Sequence, residues 1–376
     1  MYDLMPIVEK KAKAFFFLPL FCFGFFIVLT SCTEEQQRQA GVMPSSSGSH
    51  DEVLVVMNDS TWEGPLGDSI RKYFRASFMV LPQPEPIFGV KQTSYDKFKD
   101  LFRKFRNVLF VGVLDRNHPT ANHIREMLGD KQLKRAKSNQ GFYSFIKRNR
   151  WAKPQLHCYL FAPDRSTLGK VIHRNHQRFI ELFQNSELDK YKSLVYIEGT
   201  NNQLTERVRE KFAINLRIPS NYKKAMDKKN FMWLRYDTDE ITINLMLSKK
   251  PYDNAQFANK GILWRNSLGK KYVESTVKGS YMSTDTILGP ISKKTKLNGY
   301  EVYENRGLWR MENDFMGGPF LNYYLLDRKH KQMILMDGFV YAPGKDKKKL
   351  MRQLEAIFST FSIQGWQPQK NGNTGS

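Results

Sequence analysis

Cysteine is scarce in this chain: three occur in 376 residues, at Cys22, Cys32 and Cys158. Acidic side chains are also short, with 37 Asp and Glu against 59 Lys and Arg. Enzyme signatures are missing: there is no Gly-x-Ser-x-Gly elbow, Walker loop, Gly-x-Gly-x-x-Gly fingerprint or His-Glu-x-x-His pair. No apolar run past residue 30 approaches the roughly 20 residues that a membrane helix needs. These absences argue against a disulfide-stapled scaffold, the familiar nucleotide folds and a polytopic membrane protein. They leave a chain that must stabilise itself by burying a core.

The N-terminus does carry a signal. Lys10, Lys11 and Lys13 precede an apolar stretch from Ala14 to Leu29, interrupted by Pro19 and Gly24, and small residues follow. That is the layout of an export signal. Leu29-Thr30-Ser31-Cys32 resembles the lipobox of bacterial lipoproteins, which implies cleavage before Cys32 and lipidation and acylation of its thiol and amine. Two or more acyl chains would anchor the protein stably. Cys22 would leave with the signal and Cys32 would take the lipid, so Cys158 alone would remain and no internal disulfide could form. Lying in the strand-like Gln155–Phe161, it reads as a small buried hydrophobe. Thr33 rather than Asp after the lipid cysteine favours the outer membrane by resemblance to bacterial sorting rules, with either face open.

Charge makes the second strong statement. The chain carries +22 at pH 7, and +21 once residues 1–31 are removed with their three lysines, Asp3 and Glu9. A field of that sign attracts polyanions. Export excludes nucleic acid and leaves lipid headgroups, lipopolysaccharide phosphates and acidic glycans. The cations cluster at Lys131 to Lys137, Lys147 to Arg150, Lys223 to Lys229, Lys293 to Lys296 and Lys345 to Lys349. Any one cluster also reads as an ordinary solvated face or loop.

The organisation expected is a signal peptide over 1–31, a flexible linker over 32–51, an N-terminal α/β subdomain over 52–211, a C-terminal α+β subdomain over 212–366 and a disordered tail over 367–376. Within the first half, strands at Glu52–Met57 and Asn107–Leu114 alternate with amphipathic stretches. One such stripe is Tyr95, Phe98, Leu101, Phe102 and Phe105; another runs from Leu168 to Phe183. In the second half Phe212–Ile218, Phe231–Tyr236, Ile241–Leu247, Glu301–Trp309, Phe320–Leu326 and Met333–Tyr341 read as strands, and a helix carries Leu350, Leu354, Ile357 and Phe358. The expected class is α+β, an α/β-type half followed by a largely antiparallel sheet with helices. Tyr159–Pro163 and Phe339–Pro343 each lead through Ala-Pro into a helix, an echo that either duplication or chance would produce.

The densest chemistry lies between Tyr303 and Phe320. Arg306 and Arg310 could grip a carboxylate or phosphate, and Trp309 could stack on a sugar. Asp314 joins Glu304 and Glu312 as acids, and Gly317 and Gly318 read as a turn closed by Pro319. The alternative is a structural turn with arginine–acid pairs. His173 and His176, three apart on a helix, make a weak metal pair without a third ligand. His118 and His123 read as turn and solvent residues. Neither a metal nor a cofactor is called for.

The stretches Glu52–Met57 with Asn58-Asp59-Ser60-Thr61-Trp62, Arg306-Gly307-Leu308-Trp309, Met316-Gly317-Gly318-Pro319-Phe320 and Gly338-Phe339-Val340-Tyr341-Ala342-Pro343 together resemble a Bacteroidetes lipoprotein family. It is known as domain of unknown function 4837, and the resemblance spans about Asp51 to Phe361. It implies an envelope lipoprotein and no reaction. The expected function is therefore a membrane-tethered, non-catalytic binding or assembly protein. Its partners would be the membrane through Cys32 and an anionic glycan, lipopolysaccharide or envelope protein. The alternative is an envelope hydrolase of glycan or peptide using acids within 304–314.

Overall fold

The computed structural model describes residues 43–138, 141–252 and 260–366. The expected signal peptide over 1–31, the lipidation of Cys32 and the expected tail over 367–376 lie outside the described residues. The first sheet contains β1 (Glu52–Val56), β2 (Gly89–Thr93), β3 (Asn107–Val113), β4 (Ser144–Arg148) and β5 (Leu156–Ala162) in the order β2-β1-β3-β5-β4. The first four in that order run parallel, and β4 closes one edge antiparallel to β5. Every residue of β3 and β5 is buried, because helices cover both faces and a parallel sheet then needs continuous apolar runs. Helices Pro65–Phe74 and Arg165–Val195 pack on one face through Ile70, Phe74, Leu168, Val171 and Phe179. Helix Pro119–Lys137 and the turns from Tyr95 to Phe102 cover the other. The expected stripe there is cut short: Tyr95, Phe98 and Phe105 meet the core, while Leu101 is 73% exposed.

The second half begins with helix Asn202–Phe212, whose Leu204, Val208 and Phe212 enter the second core. This moves the expected division between 52–211 and 212–366 to the turn before Asn202. The strand expected over Phe212–Ile218 shrinks to β6 (Ile214–Asn215), paired later with β15 (Ser362–Ile363). Between them lie β7 (Lys223–Lys228), β8 (Phe231–Asp237), β9 (Thr242–Pro251), β10 (Tyr281–Thr284), β11 (Ile291–Leu297), β12 (Tyr300–Glu312), β13 (Gly317–Asp327) and β14 (Gln332–Tyr341). They form one antiparallel sheet in the order β10-β12-β13-β14-β9-β8-β7, with β11 also on β12. Helices Asn202–Phe212 and Lys348–Phe358 cover one face and helix Lys260–Tyr272 the other. The class is thus mixed α and β, a mixed sheet followed by an antiparallel one.

The two halves meet where helix Arg165–Val195 packs on helix Lys348–Phe358. Helix starts leave N–H groups without intrahelical partners, and this C-terminal helix takes its cap from far along the chain. Glu85, in the Pro-rich connection after Leu81, accepts from the N–H of Lys347 at 2.7 Å and of Lys348 at 3.1 Å. Of the linker expected over 32–51, residues 32–42 lie outside the described residues, and the part from Pro44 to Asp51 is held in the fold. Ser45 bridges to Lys153 and Ser47 to Phe105, and Asp51 is buried. From Pro44 onward the chain is bound into the fold by backbone hydrogen bonds that its composition does not advertise.

Candidate functional site

Residues of β12 alternate between the two faces of the second sheet, and this parity separates the candidate residues. Arg306 faces helix Lys348–Phe358. Its Nε donates to Glu304 Oε1 at 2.8 Å and its Nη1 to Glu355 Oε1 at 2.7 Å. Glu355 in turn accepts from Arg352 at 2.8 Å, and the Arg352 Nε lies 3.6 Å from Asp51 Oδ1. Asp51 takes the Tyr191 hydroxyl at 2.9 Å and gives its own N–H to Glu187, which accepts from Asn107. This chain of charged groups runs from the second sheet, through the C-terminal helix, to the start of the first sheet. Burial alone would lower the pKa of Arg306, but the carboxylates of Glu355 and Glu304 outweigh it and hold the guanidinium above its usual range. Burial would raise Glu304, yet the neighbouring Arg306 charge keeps it below the usual carboxylate value. Arg306 is therefore committed to its own acids, not open to a ligand's carboxylate.

Trp309 points to the opposite face and is 3% exposed. Its Nε1 donates to Val340 O at 3.0 Å and its ring meets Phe339 edge-on. The sugar-stacking role expected of it is corrected: the ring is core. Gly317 and Gly318 open β13 instead of forming a turn, and the reversal lies at Asn313, which has φ 63°. Side-chain absence at Gly318 serves close packing, since a Cβ there would stand 2.0 Å from Val340 O. Arg310 lies at the surface and pairs with Glu312 at 3.1 Å. Glu312 also takes the Ser283 hydroxyl at 2.5 Å, and Asp314 accepts from the N–H of Phe315. Glu304, Glu312 and Asp314 are thus held by separate local partners, and none of them lines the described clefts.

The histidines divide likewise. His173 accepts or donates at 2.7 Å with the Tyr73 hydroxyl, and His176 stacks on the same ring at 3.9 Å. Among the described residues no three His, Cys, Asp or Glu side chains gather as for a metal. His123 is not a solvent residue. It is buried between Tyr95, at 3.0 Å from Nδ1, and Tyr159, at 3.4 Å from Nε2. Cys158 is fully buried, and desolvation pushes its thiol far above the usual range, away from nucleophilic use.

The sequence reading missed a buried polar row on the second sheet. Asn305, Asn322 and Asp337 stand side by side across β12, β13 and β14 with no solvent exposure. Asn305 donates to Asn322 at 3.0 Å, and Arg265 from helix Lys260–Tyr272 donates to Asp337 at 2.9 Å. One polar residue at an inward position of each strand was the available signal.

The fold also joins two of the cationic clusters. Helix Pro119–Lys137 ends beside the edge strand β4, where Arg135 lies 5.4 Å from the Phe142 ring. Lys131, Lys134, Arg135 and Lys137 on the helix and Lys147, Arg148 and Arg150 at the edge strand are all exposed. None of the seven makes an ion pair among the described residues. Residues 131–163 hold eight Lys and Arg and no Asp or Glu, a signal that was legible all along. β4 has an unpaired outer edge with Ile146 36% exposed. This surface can engage anions.

Residues 201–360 match a family described as a domain of unknown function (DUF4837), and residues 46–196 match a second, also described as a domain of unknown function (DUF8532). The resemblance expected over about Asp51 to Phe361 thus applies to the second half, and the Glu52–Trp62 motif falls under the other family. No curated protein matches the chain. Among solved structures, the Ran-binding protein Mog1p of Saccharomyces cerevisiae is 7% identical over 40% of this chain and 90% of its own, with a TM-score of 0.27. LpqN of Mycobacterium tuberculosis, described as involved in cell envelope biogenesis, is 13% identical over 40% of this chain and 82% of its own, with a TM-score of 0.25.

Proposed function

We propose that the chain is a lipid-anchored envelope protein of the Bacteroidetes type, tethered through Cys32, that binds an anionic surface component without chemistry. The observation that carries this reading is the acid-free basic surface formed by the end of helix Pro119–Lys137 and the edge strand β4. Near an anionic membrane each Lys or Arg contributes about 1 kcal/mol, so seven acting together suffice for firm binding. The candidate partners are lipopolysaccharide phosphates, acidic glycans and lipid headgroups.

The test measures binding of the full chain to lipopolysaccharide and to anionic vesicles across a salt series. Raising ionic strength from about 0.1 M to about 1 M shortens the screening length from about 10 Å to about 3 Å, and affinity should collapse. The variant Lys134→Glu, Arg135→Glu, Lys147→Glu, Arg148→Glu should lose binding and keep its melting temperature, because all four positions are exposed. Binding that ignores both salt and charge reversal would overturn the proposal. For the anchor, Cys32→Ser should move the protein from the membrane to the soluble fraction, and an unchanged membrane pool would refute lipidation there.

A further inference from the structure

The second sheet forks at one end. β12 pairs with β13 from Tyr303 opposite Tyr324 to Arg310 opposite Gly317. The same register would continue as Val302 with Leu325, Glu301 with Leu326 and Tyr300 with Asp327, but among the described residues those pairs do not form. Instead Tyr300, Glu301 and Val302 stay with β11, while Leu325, Leu326 and Asp327 stay with β14. Alternate residues of an antiparallel strand turn their N–H and C=O to the same side. Each arm of the fork therefore presents backbone donors and acceptors to a gap with no ladder across it. An outer sheet edge offers one such row; the fork offers two that face each other.

The gap is a cleft of about 760 Å³, a size typical of ligand pockets. β11 and the start of β12 line one side, the end of β13 lines the other, and Ile363 and Trp366 complete the lining. The Tyr300 hydroxyl donates to Trp366 O at 2.7 Å, and the two rings lie 4.8 Å apart, with Trp366 still 45% exposed. Charge in the cleft is one-sided. Lys294 and Lys296 stand on one arm and Arg328 and Lys329 on the other, all four exposed. The two acids of the lining are already taken. Glu301 pairs with Lys294 at 3.2 Å, and the buried Asp327 holds the His330 ring at 2.7 Å and the Gln332 amide at 2.9 Å. Lys329 donates to Gly365 O, whereas Lys296 and Arg328 make no ion pair among the described residues. An occupant that completes this cleft must supply a row of backbone-like donors and acceptors together with negative charge. An extended peptide with acidic side chains supplies both; a glycan or a lipid headgroup supplies only the charge.

We propose that the fork takes up an acidic segment of another protein, added as an extended strand between its arms. The site belongs to the second sheet and is separate from the basic surface at β4. The test titrates the full chain into a labelled eight-residue peptide of alternating Glu and Val, read by fluorescence polarisation, and saturable binding is expected. Lys296→Glu with Arg328→Glu should weaken it about tenfold by setting like charges against the peptide. The melting temperature should hold, because both positions are exposed. Methylating alternate amide nitrogens of the peptide keeps its charge and removes backbone donors, and should also cost about tenfold in affinity. The four-fold charge reversal around β4 should leave this binding unchanged, so the fork and the basic edge succeed or fail separately. No saturable binding would overturn the proposal, as would binding indifferent to Lys296→Glu with Arg328→Glu. Equal affinity for the methylated peptide, or displacement by polygalacturonate as readily as by unlabelled peptide, would show a site for charge alone and overturn strand addition.

Discussion

Arg265 and Asp337 form an ion pair that water does not reach: Nε donates to Oδ1 at 2.9 Å, and neither side chain has any solvent exposure. Asp337 Oδ2 has no partner among the described residues, and burial pushes the carboxyl above its usual range despite the guanidinium beside it. Desolvation of such a pair rivals its attraction, so breaking it is costly while replacing it whole is not. Arg265→Met alone should cost about 3–5 kcal/mol in urea unfolding at pH 7. Arg265→Met with Asp337→Leu should recover most of that. A double variant as unstable as the single would show that the pair holds the fold through its charges.

Two buried histidines predict a pH dependence. Among the described residues neither ring nitrogen of His157 has a partner; the ring is enclosed by Phe98, Phe110 and Trp151, and desolvation lowers its pKa to about 3. The same cause takes His123 to about 4. In the unfolded chain both rings protonate near 6.5, so the unfolded state binds more protons below that pH and stability is lost as pH falls. The contribution is fully present above pH 6.5 and drains away down to about pH 3. His157→Phe should flatten the stability curve between pH 6 and pH 4 relative to the unaltered chain. Parallel curves for the two proteins would refute this.

Trp309 and Gly318 predict a loss of stability, not of ligand. Trp309→Phe removes the donor to Val340 O and leaves a buried carbonyl unsatisfied, at about 1–3 kcal/mol. Gly318→Ala forces a methyl onto the same carbonyl and should cost at least about 1–3 kcal/mol, the usual range for overpacking. Lipopolysaccharide binding by the folded fraction should be unchanged in both. A normally stable Trp309→Phe protein that had lost binding would return the indole to the role of a stacking platform.

These residues show where sequence reading succeeds. The buried strands β1, β3, β5 and β14 announce themselves as apolar runs, because a strand covered on both faces has no polar side to dilute the signal. The strands β7 and β11 hide inside the lysine clusters at Lys223 to Lys229 and Lys293 to Lys296. Both lie at sheet edges, where exposed lysines keep open backbone from pairing with another chain. Such strands cannot be told from loops by composition. The density of Arg, Trp and acid between Tyr303 and Phe320 is real. Parity then sends Arg306 into an ion network and Trp309 into the core on the opposite face, and only pairing to β13 and the helices above reveals that.

The last prediction concerns the junction of the halves. Glu85 and the N–H groups of Lys347 and Lys348 are 262 and 263 residues apart, yet the carboxylate caps the C-terminal helix. Capping by an acidic residue is worth about 0.5–2 kcal/mol, and here the cap also ties the Pro-rich connection of the first half to a helix of the second. Glu85→Ala should raise the hydrogen-exchange rate of the first turn of helix Lys348–Phe358. It should raise the rate in helix Arg165–Val195 as well, because that helix packs on it. The strands β3 and β5, buried within the first sheet, should keep their protection. Glu85→Gln, which retains an acceptor oxygen, should fall between Ala and the unaltered chain. If exchange rises only within the connection around Glu85 itself, the carboxylate is a local feature and the halves are held together by the packing of the two helices alone.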